Sequence, residues 1–342
     1  MEKENNETSP RVAVIILNWN GEKLLDEYLP QVVATTDPSV AKVIVADNGS
    51  TDGSLALLAD RFPQVETMVF DRNYGFAEGY NKAVALAEGY KYVVLLNSDV
   101  ATTEGWINIL ADYMDAHPEV GACQPKLLAY LDRDRFEYAG AAGGFIDRNG
   151  YPYCRGRIFA TCETDSGQYD TECSVFWASG ASMMVDRDVY INAGGLDPDF
   201  FAHMEEIDLS WRILLSGKKI VCVPSAVVYH LGGGSLPADN PKKTYLNFRN
   251  NLLMLHKNLP DRVRGRRLLW RRLLDTVAWA KFVATGDFAN AGAVVRAHRD
   301  FARMRRKYTV HPDVDLLRSA TGSDVNILTS YYLRGRRRFS DL

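Results

Sequence analysis

Four times before residue 100, a block of apolar residues runs into an asparagine or an aspartate. Arg11 to Leu17 ends at Asn18, and Lys42 to Ala46 ends at Asp47. Val65 to Phe70 ends at Asp71 and Asn73, and Tyr92 to Leu96 ends at Asn97 and Asp99. Uninterrupted blocks rich in Val and Ile read as strands covered on both faces, as in a parallel sheet. Helical stretches follow each block: Glu22 to Val33, one capped by Thr51 or Asp52, Phe76 to Glu88, and Thr103 to Ala116. Strand alternating with helix predicts an α/β fold with a parallel, doubly wound sheet. In such sheets the ligand sits outside the carboxyl ends of the strands, so four polar tips at one edge predict one shared crevice.

The tips suggest a ligand chemistry. Asn97 and Asp99, one residue apart at a strand end, can address one ligand together. A carboxylate there suits a hard cation such as Mg²⁺, which one or two carboxylates usually hold together with substrate phosphates. Asp47 can accept from a pyrimidine base N–H, and Asn18 lies beside it. The run from Asn73 to Asn81 sets Gly75 and Gly79 around a helix start, where backbone approaches closely and an anion is favoured. It is neither G-x-G-x-x-G nor G-x-x-x-x-G-K-[ST]. Taken singly, each of these residues also fits an ordinary turn or cap.

From residue 120 the pattern loosens. Gln124 to Tyr130 and Ser174 to Ala178 read as strands, with a Gly- and Tyr-rich insertion at 140–170 suited to acceptor recognition. Asp186 to Ala193 reads as a short helix, stopped by Gly194-Gly195. Glu205, Glu206 and Asp208 open a helix reaching Ser216. Acidic residues are favoured in a first turn, yet a carboxylate pair facing a crevice also makes a general base. His203 precedes them, within reach of an acceptor. Lys219 to Val223 and Ala226 to His230 read as two strands. The second places His230, a side chain more often structural than not but also a common metal ligand, before Gly232-Gly233-Gly234-Ser235.

Beyond Pro241 the chain turns helical. Tyr245, Phe248, Leu252, Leu255 and Leu259 form an apolar stripe, and helices follow at roughly 264–284 and 287–307. Charge divides sharply. Residues 241–342 carry 22 Lys and Arg against 8 Asp, and the remainder 18 against 35 acidic residues. The basic third favours anionic partners or pairs with the acidic body. Five cysteines without a C-x-x-C pair point to reduced thiols rather than zinc or disulfides. No apolar run is long enough to span a membrane. Met1 to Pro10 lacks the features of a signal peptide, so a disordered tail and a cytoplasmic location are expected.

Taken in order, Ile15 to Gly21, Asp47 to Ser54, Asn73 to Asn81, Leu96 to Asp99, Gly194 to Asp197 and Glu205 to Leu209 resemble a family-2 glycosyltransferase of the GT-A fold. The similarity spans about Val12 to Ser235, and the members it resembles include bacterial rhamnosyltransferase-like enzymes of surface-polysaccharide assembly. It implies a Rossmann-like mixed sheet flanked by helices. The glycosyltransferase domain would occupy 11–236, and a basic helical extension 237–342. It also implies roles. Asn18, Asp47 and Asn73 would meet the nucleoside, with Gly75, Gly79 and Asn81 around the helix that follows. Asn97 and Asp99 stand at the Asp-x-Asp-type motif that binds ribose and metal. His230 matches a histidine that meets metal or diphosphate, and Glu206 matches the catalytic base, with Glu205 beside it. Two positions depart from the pattern: Asn97 replaces an Asp, and Glu206 stands where many relatives have Asp.

The expectation is an inverting transfer of a hexose, assisted by Mg²⁺ or Mn²⁺. The donor would be a nucleotide-diphosphate sugar and the acceptor a hydroxyl of a glycan or polyprenyl-linked glycan. The basic helices would rest on an anionic inner membrane leaflet, grip the acceptor's pyrophosphate, or simply pack. Rivals are a sugar-phosphate nucleotidyltransferase, which wants a Gly-rich, Arg-containing loop where Asn18-Trp19-Asn20-Gly21 stands, and a non-catalytic nucleotide-sugar-binding protein. Nucleic acid is not an expected partner, because the arginines lack interleaved aromatic residues.

Overall fold

The computed structural model describes residues 10–232, 240–319 and 324–342. The expected tail, all but Pro10, lies outside these residues, as do Gly233, Gly234, Ser235 and Pro237.

The first half follows the expected alternation. Strand β1 (Val12–Asn18) leads to α1 (Glu22–Thr35), β2 (Ala41–Asp47), α2 (Ser54–Arg61), β3 (Glu66–Val69), α3 (Gly75–Leu86) and β4 (Tyr92–Leu96). β1 is the hub, parallel to β2 on one side and to β4 on the other. Its side chains alternate between two cores. Val12, Val14 and Ile16 join Leu25 and Leu29 of α1, whereas Ala13 and Ile15 join Tyr80 and Val84 of α3. That two-sided burial is why the block carries no polar residue until Asn18.

The second half brings β5 (Val100–Thr102), α4 (Trp106–Ala116) and β6 (Val120–Ala129). The insertion is a small antiparallel sheet: β7 (Gly144–Ile146), β8 (Pro152–Cys154), β9 (Arg157–Ile158) and β10 (Thr161–Cys162). Then come β11 (Cys173–Ser174), β12 (Ser182–Asp186), α5 (Arg187–Asn192), α6 (Glu205–Leu215) and β13 (Lys219–His230). The main sheet runs β11-β13-β6-β12-β4-β1-β2-β3, with β5 paired to β13.

Three details correct the sequence reading. β12, which the residues alone do not mark as a strand, inserts antiparallel between β4 and β6; it makes the sheet mixed, as the GT-A resemblance implies and strand–helix alternation alone does not. Its short Met-rich run is outweighed in sequence by Ser174 to Ala178, which is β-branched and aromatic. That segment is instead buried mostly as irregular chain, with an isolated bridge from Trp177 to Gly144. The two strands expected after residue 219 are one. Pro224 has no N–H for the ladder, and the register against β6 shifts between Val223 and Val227 to pass it.

Helices α7 (Pro241–Asn258), α8 (Asp261–Ala284), α9 (Phe288–Met304) and α10 (Leu316–Ser319) complete the chain. Leu252, Leu255 and Phe301 share the core of Ile15 and Tyr80, so these helices are built onto the body. Part of their charge is spent there: Lys257 lies 2.7 Å from Asp197 and 2.9 Å from Asp208, and Lys307 lies 2.7 Å from Asp199.

Candidate active site

Strand register gathers the polar tips at one edge. Asn18 is the direct partner of Asp47 across β1 and β2. β4 pairs with β1 up to Leu96 and Ile16, so its own tip leaves the sheet alongside. β5 folds back on β13 with Val100 opposite His230, which returns His230 to that same tip.

The first cluster surrounds Asp47, which is fully buried. It accepts from Asn18 Nδ2 at 3.0 Å and from the Ser50 N–H at 3.0 Å. Asn18 Nδ2 also reaches Ser50 Oγ at 3.2 Å, while its Oδ1 is buried without a partner. A buried amide oxygen in that state favours an incoming N–H donor. Asn73 Oδ1 accepts from the Gly75 N–H at 2.7 Å, which shapes the start of α3. Gly75 has φ of 79°, a left-handed conformation that glycine adopts without strain. A Cβ on Gly79 would stand 2.9 Å from Leu17 and 3.0 Å from Asn48 Nδ2, so glycine is what lets α3 approach β1.

Sequence reasoning gave Asn48 no role of its own, yet it ties this cluster together. Its amide donates to Asn73 Oδ1 and to the Gly75 carbonyl, and its Oδ1 accepts from the Tyr74 N–H. Asn81 is engaged elsewhere. It accepts from the Leu196 N–H and the Tyr190 hydroxyl and donates to the Leu196 carbonyl, bolting α3 to the turn after α5.

The second cluster is Asp99, His230 and Glu137. His230 Nε2 donates to Asp99 Oδ1 at 3.1 Å, and Nδ1 lies 3.3 Å from Glu137 Oε1, close but poorly aligned for a hydrogen bond. Burial disfavours the imidazolium, but the two carboxylates outweigh it and raise the His230 pKa to about 10. Burial likewise works against the Asp99 carboxylate, and the His230 hydrogen bond and charge reverse it, so its pKa is lowered. Asn97 Nδ2 lies 3.5 Å from His230 Nε2. Glu137 sits in irregular chain after β6, where no motif marked it.

Asp99 and His230 would hold a divalent cation once Nε2 gives up its proton to make way for the metal. Their 3.1 Å separation, here a hydrogen bond, is also close to the roughly 3.0 Å between cis ligands at bond lengths of about 2.1 Å. No group of three or more His, Cys, Asp or Glu side chains forms a metal shell among the described residues. Remaining ligands would come from a diphosphate and water, as hard cations of the Mg²⁺ type prefer.

The acidic pair opens α6. Gly180, just before β12, carries the link to the sheet edge. The Ala181 carbonyl accepts the Asn97 N–H at 3.0 Å, and a Cβ on Gly180 would lie 3.6 Å from Glu206 Cβ. Glu206 therefore sits across from the end of β4. Oε2 of Glu205 and Oε2 of Glu206 are both buried and without partners. Burial raises the Glu206 pKa to about 7, and burial together with the Glu206 charge raises that of Glu205. Asp208, grouped with them by sequence, is engaged differently, accepting from Arg212, Lys257 and Asn258. His203 stays neutral, since burial and nearby Lys243 lower its pKa to about 4.

A mixed sheet of this order, flanked by helices, matches the GT-A fold of solved glycosyltransferase structures. The chain belongs to glycosyl transferase family 2, whose sequence profile matches residues 13–191. It is 29% identical over 234 residues to an N-acetylglucosaminyl-diphospho-decaprenol L-rhamnosyltransferase of Mycobacterium tuberculosis, covering 64% of this chain and 75% of that protein. In structure it resembles S. aureus TarS 1–349 in complex with UDP-GlcNAc, with a TM-score of 0.57, 15% identity, and coverage of 85% of this chain and 80% of that one. GalNAc-T7 with UDP, GalNAc and Mn²⁺ gives a TM-score of 0.57 and 15% identity over 75% of this chain. The chain spans about half of that enzyme, 49%.

Proposed function

We propose that this glycosyltransferase performs an inverting transfer of a hexose from a nucleotide-diphosphate sugar to a hydroxyl of a lipid-linked glycan, in the assembly of a cell-surface polysaccharide. Residues 11–236 would supply the chemistry, and 237–342 would brace it at the inner face of the membrane. The observation that carries the reading is Glu206: a half-buried carboxylate with an unpartnered oxygen and a pKa near 7, at the edge where Asp99 lies. A base so poised takes the acceptor's proton as that oxygen attacks the anomeric carbon from the face opposite the departing diphosphate. One base suffices, because no covalent sugar–enzyme intermediate forms. Such a base contributes typically ~10²–10⁴-fold.

Asn18, Asp47 and Asn73 would hold the nucleoside, with Gly75 and Gly79 admitting the backbone close to it. Asp99 and His230 would hold Mg²⁺ or Mn²⁺, whose charge offsets that of the diphosphate. The need for it is electrostatic. Asp99 and Glu137 already engage the charge of His230, so a departing diphosphate requires a further counter-charge there. The Mn²⁺ bound in the GalNAc-T7 structure supports the assignment. The lipid-diphosphate substrate and L-rhamnose named for the mycobacterial relative make nucleotide-diphosphate forms of L-rhamnose the first donors to test.

The deciding experiment offers a panel of nucleotide sugars with a polyprenyl-diphosphate N-acetylglucosamine acceptor, with Mg²⁺, with Mn²⁺ and with chelator. The product's anomeric configuration is read by NMR. A single donor consumed with inversion supports the reading. Retention of configuration, or binding of nucleotide sugar without transfer to any acceptor, overturns it.

A further inference from the structure

Helix α8 carries apolar residues on both sides. Facing the protein it buries Val263 and Leu268 together with a charged pair, Arg271 at 5% and Asp275 at 1% exposure, joined by a 2.8 Å contact and supported by His298 at 3.1 Å from Asp275. Facing solvent it presents Leu269 at 62%, Trp270 at 52%, Leu273 at 52% and Val277 at 69% exposure. These apolar residues recur at steps of one, three and four, which places them on one stripe of the helix. Arg262 and Arg266 extend that stripe toward the N-terminus, and Lys281 borders it near the other end. A surface helix of a water-soluble fold keeps its solvent face polar.

We propose that this face of α8 lies on an anionic lipid bilayer, in the plane of the interface, with Leu269, Trp270, Leu273 and Val277 among the acyl chains and Arg262, Arg266 and Lys281 on lipid phosphates. It names the surface by which the proposed enzyme reaches its lipid-linked acceptor, and to that extent rests on the preceding reading. Charge selects the partner. The acidic side chains of α8 are Asp261, which pairs with Arg264, and the buried Asp275, so the stripe itself carries only cations. A second copy packed here about a twofold axis would bring like charges together. Anionic headgroups complement them, and tryptophan favours the headgroup level. Among the described residues no helix is long and apolar enough to cross a membrane, so α8 lies on the bilayer rather than spanning it.

The test sediments the full chain with vesicles of phosphatidylcholine alone and with vesicles containing one-third phosphatidylglycerol. Wild type should pellet with the anionic vesicles only. Leu273→Glu/Val277→Glu should lower partitioning by at least ~10-fold, and Arg262→Gln or Arg266→Gln by about fivefold each. All variants should keep the wild-type circular dichroism and its rate of nucleotide-sugar hydrolysis without vesicles. Equal binding of wild type and Leu273→Glu/Val277→Glu overturns the proposal. So does a concentration-dependent dimer, seen by analytical ultracentrifugation and abolished by that pair. Should no nucleotide sugar ever be turned over while anionic vesicles still pellet the chain, the functional reading fails and this one stands.

Discussion

The side-chain amide of Asn250 on α7 donates to the carbonyl of His203 at 2.7 Å, two residues before the acidic pair. The same nitrogen serves the Phe200 and Ala202 carbonyls, each at 2.9 Å. Between them the loop holds three non-glycine residues in left-handed backbone: Phe201, His203 and Met204, with φ of 65°, 67° and 73°. Such residues cost ~1–3 kcal/mol apiece and persist only where surroundings over-determine them. The C-terminal helices thus fix the angle at which Glu206 meets the crevice. Asn250→Leu removes all three hydrogen bonds. Expected is a fall in kcat of at least ~10-fold with donor KM within about twofold, and a stability loss of ~1–3 kcal/mol. Steady-state kinetics beside denaturant melts decide it. Unchanged kcat in a destabilised variant would reduce Asn250 to a structural strut.

Glu206→Gln separates catalysis from stability. Turnover should fall ~10²–10⁴-fold, and the wild-type rate should show an acidic limb near pH 7, where burial has placed the Glu206 pKa. The stability effect runs the other way. A carboxyl whose folded pKa is raised binds more protons folded than unfolded, between ~4.3 and 7. Stability therefore declines as pH rises through that window. Gln removes the buried charge, so the variant should melt higher than wild type at pH 8 and about equally at pH 4. A lower Tm at pH 8 would show that Glu206 is instead paired.

Asp99→Asn keeps the shape and removes the charge. Transfer should drop at least ~10-fold, with a weaker response to added Mg²⁺ or Mn²⁺. Glu137→Gln leaves Asp99 intact and only loosens His230, so its loss should be smaller. Titrating each variant with Mn²⁺ while following turnover ranks them. The reverse order would make Glu137, rather than Asp99, the carboxylate that matters.

Legibility in the sequence followed the physics of burial. β1 to β4 were readable because two-sided burial writes long apolar runs, and their tips because a polar residue ending such a run is conspicuous. β12 was not, since Ser182 to Asp186 is short and its pairing is decided by β4 and β6, far away in sequence. Asn250 left a faint mark: Arg249-Asn250-Asn251 interrupts an apolar helix, and buried polar side chains there need partners. Glu137 left none, because its partner is 93 residues on and its own segment is irregular. In α8 the apolar residues stand out in the sequence, but only the fold shows that Leu268 faces inward while Leu269, Leu273 and Val277 face outward.

Asp208 tests the division of labour within the acidic run. It is fully buried and accepts from Arg212 on its own helix and from Lys257 and Asn258 on α7. Burial would raise its pKa, yet Arg212 and Lys257 together lower it. A depressed carboxyl stabilises the fold at neutral pH, and that contribution fades as pH falls from ~3.9 through the lowered value. Asp208→Asn takes the carboxylate from two part-buried cations, of which Lys257 keeps Asp197 at 2.7 Å, and should cost ~1–3 kcal/mol at pH 7, with the deficit shrinking toward pH 3. Per folded molecule, kcat should stay within about twofold of wild type, because Asp208 points at α7 and not at the crevice. Denaturant melts at both pH values, paired with activity normalised to folded fraction, measure this directly. A large kcat loss at full folding would return Asp208 to the catalytic group.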